Sequence, residues 1–292
     1  MFAMKFTLSS LLGLTAIPAA MLWASSPVSA APILGNASPF AVLAGASVTN
    51  TGSTVITGEL GVSTGTSVTG FYPPGVVLGG AIHINDGVAI AAKSDFQSAY
   101  TSLSNSIVTQ NLTGGDLGVG SLGSLAPGVY KFDTTAQLTG ALTLDGGNDP
   151  YAKFIFLIGS ALTTASAASV LLTNGTYFDN VYWLTGTAAT FGGGTAFAGS
   201  VLAGSSITFD EGASIVCGRA LAQVSVTMIN NQVSTDCQPV PGDIDNPTDV
   251  PEPASWAVFF MGLLGLAGII WNRRRNTTPS GFNLLRTMAR AD

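Results

Sequence analysis

Histidine occurs once in the 292 residues, at position 83, and cysteine twice, at 217 and 237. A lone histidine leaves no partners for a Ser-His-Asp triad or a histidine metal cluster. His83 sits between Ile82 and Ile84 in a strand-like run and reads as a structural or surface residue. No Gly-rich phosphate loop with its lysine is present. No carboxylate pair stands at a spacing recognisable for glycoside hydrolysis. Asp145-Gly146-Gly147-Asn148-Asp149 lacks the spaced ligands and terminal Glu of a calcium loop and reads as a turn. No catalytic residue, metal or cofactor is therefore expected. Basic residues are also scarce. Between positions 31 and 252 only Lys93, Lys131, Lys153 and Arg219 stand against 15 acidic residues, a net charge of −11. With no basic cluster to displace counterions, nucleic acid is excluded as a partner. Charged residues make up only 9% of the chain, and Val, Ile and Phe are abundant. Disordered chains show the reverse, so this one buries a core.

Both ends read as address labels. Residues 1–30 carry one charge, Lys5, then an apolar stretch from Phe6 to Trp23, then small residues at Val28-Ser29-Ala30. That is the layout of a signal peptide removed by signal peptidase. The alternative, a membrane anchor, is opposed by Gly13, Thr15 and Pro18 inside the run. At the other end a Pro- and Asp-rich linker, 238–249, leads to Pro251-Glu252-Pro253, an apolar run from Ala254 to Trp271, and Arg273-Arg274-Arg275. Eighteen residues span about 27 Å as a helix, enough to cross a bilayer, with the arginines holding the cytoplasmic side. Residues 276–292 would form a cytoplasmic tail. In an exported protein Cys217 and Cys237 are expected to be bridged. Closing a loop of about twenty residues is worth on the order of 3 kcal/mol. Two separate buried thiols are the alternative.

Between these ends, short runs of Val, Ile, Thr and Phe close on Gly or Asn, the pattern of short strands. One segment differs. From Gly87 to Gln110, Val88, Ala92, Phe96, Ala99, Leu103 and Ile107 recur at spacings of four and three, predicting one long helix with Asp86 as N-cap. Asn111 and Gly114 supply stop signals. A repeated word also recurs: Leu43-Ala44-Gly45-Ala46-Ser47-Val48-Thr49, Leu202-Ala203-Gly204-Ser205-Ser206-Ile207-Thr208 and Leu221-Ala222-Gln223-Val224-Ser225-Val226-Thr227, with a cousin at Gly65-Thr66-Ser67-Val68-Thr69-Gly70. The second and third copies lie 19 residues apart, as the coils of a solenoid do. The expected fold over 31–237 is mostly β: a triangular β-solenoid, or parallel β-helix, with the helix packed alongside. Its N-terminal strand would stack beside the C-terminal coils. A Ser/Thr/Gly-rich sandwich is the competing architecture.

These words, with Phe40-Ala41-Val42-Leu43-Ala44, Val55-Ile56-Thr57-Gly58-Glu59, Leu125-Ala126-Pro127-Gly128-Val129-Tyr130 and Gly218-Arg219-Ala220, resemble the microbial ice-binding protein family over about 33–237. The resemblance implies a triangular solenoid with a flanking helix and an ice crystal surface as partner. Likewise the order Pro251-Glu252-Pro253, apolar span, arginine cluster over 250–275 resembles the PEP-CTERM sorting signal. This implies processing by an exosortase after transient anchoring in the inner membrane of a Gram-negative bacterium. The product would be secreted, or displayed on the cell surface or in the extracellular matrix.

Strand side chains alternate, so Ser47 and Thr49, Ser206 and Thr208, and Ser225 and Thr227 would share one flat hydroxyl-and-methyl face, the candidate ice-binding residues. The family's leading Thr is absent from all three words, and Ser replaces the small residue after it. Thr51, Thr54, Thr187 and Thr190 fit the stricter Thr-x-x-Thr pattern but lie off the repeat register, as corner residues would; they form a second tier. An extracellular matrix or adhesion scaffold without ice activity is the alternative function.

Overall fold

Each coil of this chain needs a buried side chain at every second strand position and a tight corner after three to five residues. In the computed structural model, which describes residues 33–237, such runs form parallel strands wound as a three-faced solenoid. The signal segment 1–30, the linker 238–249, the sorting signal 250–275 with its apolar run, and the tail 276–292 lie outside the described residues. Among those described, no helix is long and apolar enough to cross a membrane.

The chain visits the faces in a fixed cycle, here named A, B and C. Phe40–Ala44 lies on face A, Ser47–Thr51 on face B and Val55–Thr57 on face C; Glu59–Val62 then returns to face A. Strand order is not sequence order. Val42 pairs with Ala220 and Ser47 with Ser225, so the N-terminal coils sit on the C-terminal ones. The helix Gly87–Ser104 carries the chain from the terminal strand Ile82–Ile84 to Gln110–Asn111 at the opposite end of the stack. The best-preserved coil is 18 residues long at Ala196↔Ser214 and 19 at Ala198↔Cys217, because Val216 is inserted as a bulge. Glycine marks the corner between faces A and B because rungs nearly touch there. A Cβ on Gly204 would lie 2.4 Å from the carbonyl oxygen of Gly186 in the next rung.

The interior is a stack of rings. Tyr130, Phe156, Trp183 and Phe197 follow one another, with centroids 3.7 Å apart for Phe156–Trp183 and 4.9 Å for Trp183–Phe197. The Trp183 indole N–H, buried, donates to the Ala198 carbonyl at 3.1 Å. Aromatic area and a satisfied polar tip together make this column the strongest single source of core stability.

The helix covers face A through Ala89, Ala92, Phe96, Ala99 and Leu103. Two members of the expected stripe are not in it. Val88 and Ile107 are exposed, and the helix ends at Ser104 rather than Gln110. At about 100° per residue, position 89 lies about 20° round from Phe96, whereas 88 lies about 80° away. Asn105 then caps the C-terminus, its amide donating to the Thr101 carbonyl at 2.9 Å, and Ile107 falls beyond the last turn. The N-cap is as expected: the Asp86 carboxylate accepts from the Ala89 amide at 2.9 Å.

Lys93 is buried beneath this helix, donating to the carbonyls of Ala222 at 3.2 Å and Gln223 at 3.0 Å. Burial pushes its pKa from the ordinary 10.5 down to about 8. Above that value the folded ammonium loses a proton that the unfolded chain still holds, so stability rises with pH. The gain ends near the ordinary tyrosine value of 10. Burial raises Tyr100, Tyr130 and Tyr177, and Tyr182 to about 12, so the unfolded hydroxyls ionise first. Denaturant titrations between pH 8 and 9.5 should show stability rising in the wild type and flat in Lys93→Met. A flat wild-type profile would remove this account of Lys93.

Candidate functional site

The three faces differ in what they offer a flat partner. Face A lies under the helix. Face C carries the Val216 bulge, half-exposed Leu171 and an excursion reaching exposed Tyr151. Face B remains uncovered and regular. Its strands run in the order Ser67–Thr69, Ser47–Thr51, Ser225–Ile229, Ile207–Phe209, Ala189–Phe191, Leu162–Thr164, Ala136–Leu138 and Asp116–Leu117.

Register decides what this face presents. Thr69 pairs with Thr49, Thr49 with Thr227, Thr227 with Thr208, Thr208 with Thr190, and Thr190 with Thr163. Six threonines on successive rungs therefore form one outward column, continued by Gln137 and Asp116. At about 4.8 Å per rung the six span about 24 Å. Beside them Ser67, Ser47 and Ser225 stand in register, and the Ser206 and Ser225 hydroxyls lie 2.9 Å apart. Between the two columns Val48, Val226, Ile207 and Ala189 point inward and are fully buried. That buried row fixes the height of each rung. Threonine, branched at Cβ, has few rotamers, so each methyl and hydroxyl is held by its own backbone. The Thr and Ser rungs carry no charge. Asp116, at the far end, is engaged by Thr139, whose hydroxyl donates to it at 2.6 Å.

The structure thus places Thr49, Thr208 and Thr227 in one column and Ser47, Ser206 and Ser225 beside it. The second tier divides. Thr190 stands in the main column, not at a corner, because its coil is in register with Thr208. Thr51 is exposed at the end of its strand, opposite Ile229. Thr54 is buried and its hydroxyl accepts from the Asn231 amide at 3.0 Å. Thr187 lies at the corner between faces A and B. Sequence reasoning left Thr69 and Thr163 out of the site. The first carries a visible signal in Ser67-Val68-Thr69, which repeats Ser47-Val48-Thr49; the second has only Leu162-Thr163 to mark it.

Other singled-out residues have local roles. His83 Nδ1 lies 2.8 Å from the Asp86 carboxylate, and its ring tilts against Phe40. Asp145 accepts from the Gly147 amide and the Asn174 side chain, each at 2.9 Å, which closes a turn and holds its carboxyl below the usual range. Cys217 and Cys237 form a disulfide with Cα atoms 5.4 Å apart.

Fold and face together define a parallel triangular β-solenoid with one helix-covered side and one flat threonine side. The model of the ice-binding-like family matches residues 42–234, and the chain belongs to that family. A second model, the PEP-CTERM protein-sorting motif, matches residues 249–275. An ice-binding protein of Nostoc sp. (strain HG1) is 50% identical over 236 residues, covering 80% of this chain and 84% of that protein. Among solved structures, an ice-binding protein from an Antarctic biological consortium matches with a TM-score of 0.64 and 41% identity, over 75% of this chain and 96% of that one. Another, from the Antarctic ascomycete Antarctomyces psychrotrophicus, matches with a TM-score of 0.64 and 37% identity, over 70% and 98%.

Proposed function

We propose that this protein binds ice through face B and does no chemistry there. The observation that carries the reading is the unbroken column Thr69, Thr49, Thr227, Thr208, Thr190 and Thr163 on an uncovered face. A rigid array of methyls and hydroxyls at a fixed repeat can order water into a matching layer. No ion on these rungs competes by holding its own hydration shell. The names of the relatives and the match over 42–234 support the same partner.

Export completes the proposal. Signal peptidase removes residues 1–30, the run 254–271 anchors the chain transiently in the inner membrane of a Gram-negative cell, and an exosortase acts near Pro251-Glu252-Pro253. The match to the sorting motif supports this route. The domain then reaches the cell surface or the extracellular matrix. That destination also suits a scaffold or adhesion role without ice activity. Freezing hysteresis and ice recrystallisation assays on residues 31–240 separate the two. Shaped, arrested crystals at micromolar protein support ice binding; ordinary growth and coarsening would leave the scaffold reading.

A further inference from the structure

The chain leaves the described domain at Cys237, and three features fix where. The Thr235 amide donates to the Thr57 carbonyl at 3.0 Å, at the corner where face C turns into face A. Cys217, the disulfide partner, immediately precedes Gly218, whose φ of +148° makes the same turn one rung away. In a triangular cross-section that edge is opposite face B. A tether through 238–249 therefore points the threonine column away from whatever holds the C-terminus.

The last strand, Gln232–Ser234, is a weak place to pull. It has three residues and is held between Val55–Thr57 and two residues of Ser214–Ala222. Tension on it would open the ladder one pair at a time, and Ser225–Ile229 would follow. Loss of that strand would remove Thr227 and part the N-terminal coils from the rest, since Thr49 meets Thr208 only through Thr227. The disulfide diverts this path. Force arriving at Cys237 passes to Cys217, inside a nine-residue strand registered with Ala196–Ala203 over eight pairs and with Phe40–Ala44 as well.

We infer that Cys217–Cys237 is a mechanical clamp, which lets the C-terminal tether hold the cell against ice without unravelling the ice-facing column. The inference rests on the attachment part of the proposal above and goes beyond it. The test uses the full chain displayed on producing cells, compared with Cys217→Ser/Cys237→Ser. Both should attach equally to an ice face at rest, and the double variant should detach at well under half the shear. An arm without ice keeps the two readings apart. A force-microscope tip carrying an antibody pulls on an epitope inserted at Gly147, where an added side chain meets nothing within 4 Å. The double variant, and the wild type treated with an impermeant phosphine reductant, should yield at lower force than the oxidised wild type, with recovery on reoxidation. Lower force without any ice adhesion would sink ice binding and keep the clamp. Equal forces in all three samples, or wild type found only in the medium, would overturn the clamp.

Discussion

Replacing Thr208 by Tyr is expected to reduce freezing hysteresis by roughly an order of magnitude while leaving the fold intact, because simultaneous engagement along the array fails once one member stands proud. Thr208 lies in the middle of the column, flanked in register by Thr190 and Thr227. A phenol ring there holds the ice front off both neighbours. Tyrosine is a good strand residue, and away from the core such changes shift stability by about 0.5 kcal/mol or less. Circular dichroism melting and hysteresis measured on the same sample check both halves. Activity equal to wild type would move the site off this column.

The largest loss of stability is expected at Trp183. Trp183→Ala removes the ring stacked on Phe156 and Phe197 and leaves the Ala198 carbonyl without its indole donor. Truncating a buried tryptophan costs roughly 3–5 kcal/mol. For a domain of about 200 residues this lowers the melting temperature by roughly 10 °C. The column sits on the inner side of face A, so hysteresis near the freezing point should persist in whatever fraction stays folded. Trp183→Phe keeps most of the stacking and should lose much less. An Ala variant melting with the wild type would show that the aromatic column is not the main support of the stack.

The same geometry explains which parts of this structure can be read from the sequence. The word ending in Ser-Val-Thr or Ser-Ile-Thr is visible at 49, 208 and 227 because those coils have nearly constant length: Thr208 and Thr227 are 19 residues apart. The pairing of Thr49 with Thr227 follows from the same word and is found. Thr163 and Thr190 are hidden because their coils are longer. Residue 163 pairs with 190, a step of 27, since the loop 174–180 lengthens the turn from face C to face A. A constant period therefore places Thr190 at a corner, where only backbone register shows it in the column. Hydrophobic spacing located the helix and its Asp86 cap. It could not show that Ala89 packs and Val88 does not, because that depends on the helix's rotation over face A. Nor did it suggest a buried Lys93, whose partners are corner carbonyls nearly 130 residues away. The pairing of Cys217 with Cys237 followed from export, but its position at the edge opposite face B needs the stack.

The most direct measurement is freezing hysteresis across single tyrosine substitutions carried by different sides of the prism: positions 49, 227 and 163 on face B, 171 on face C and 98 on the exposed side of the helix. Losses at 49, 227 and 163 with activity kept at 171 and 98 are predicted. Loss at 171 or 98 with activity kept at the three threonines would contradict the assignment of ice to face B.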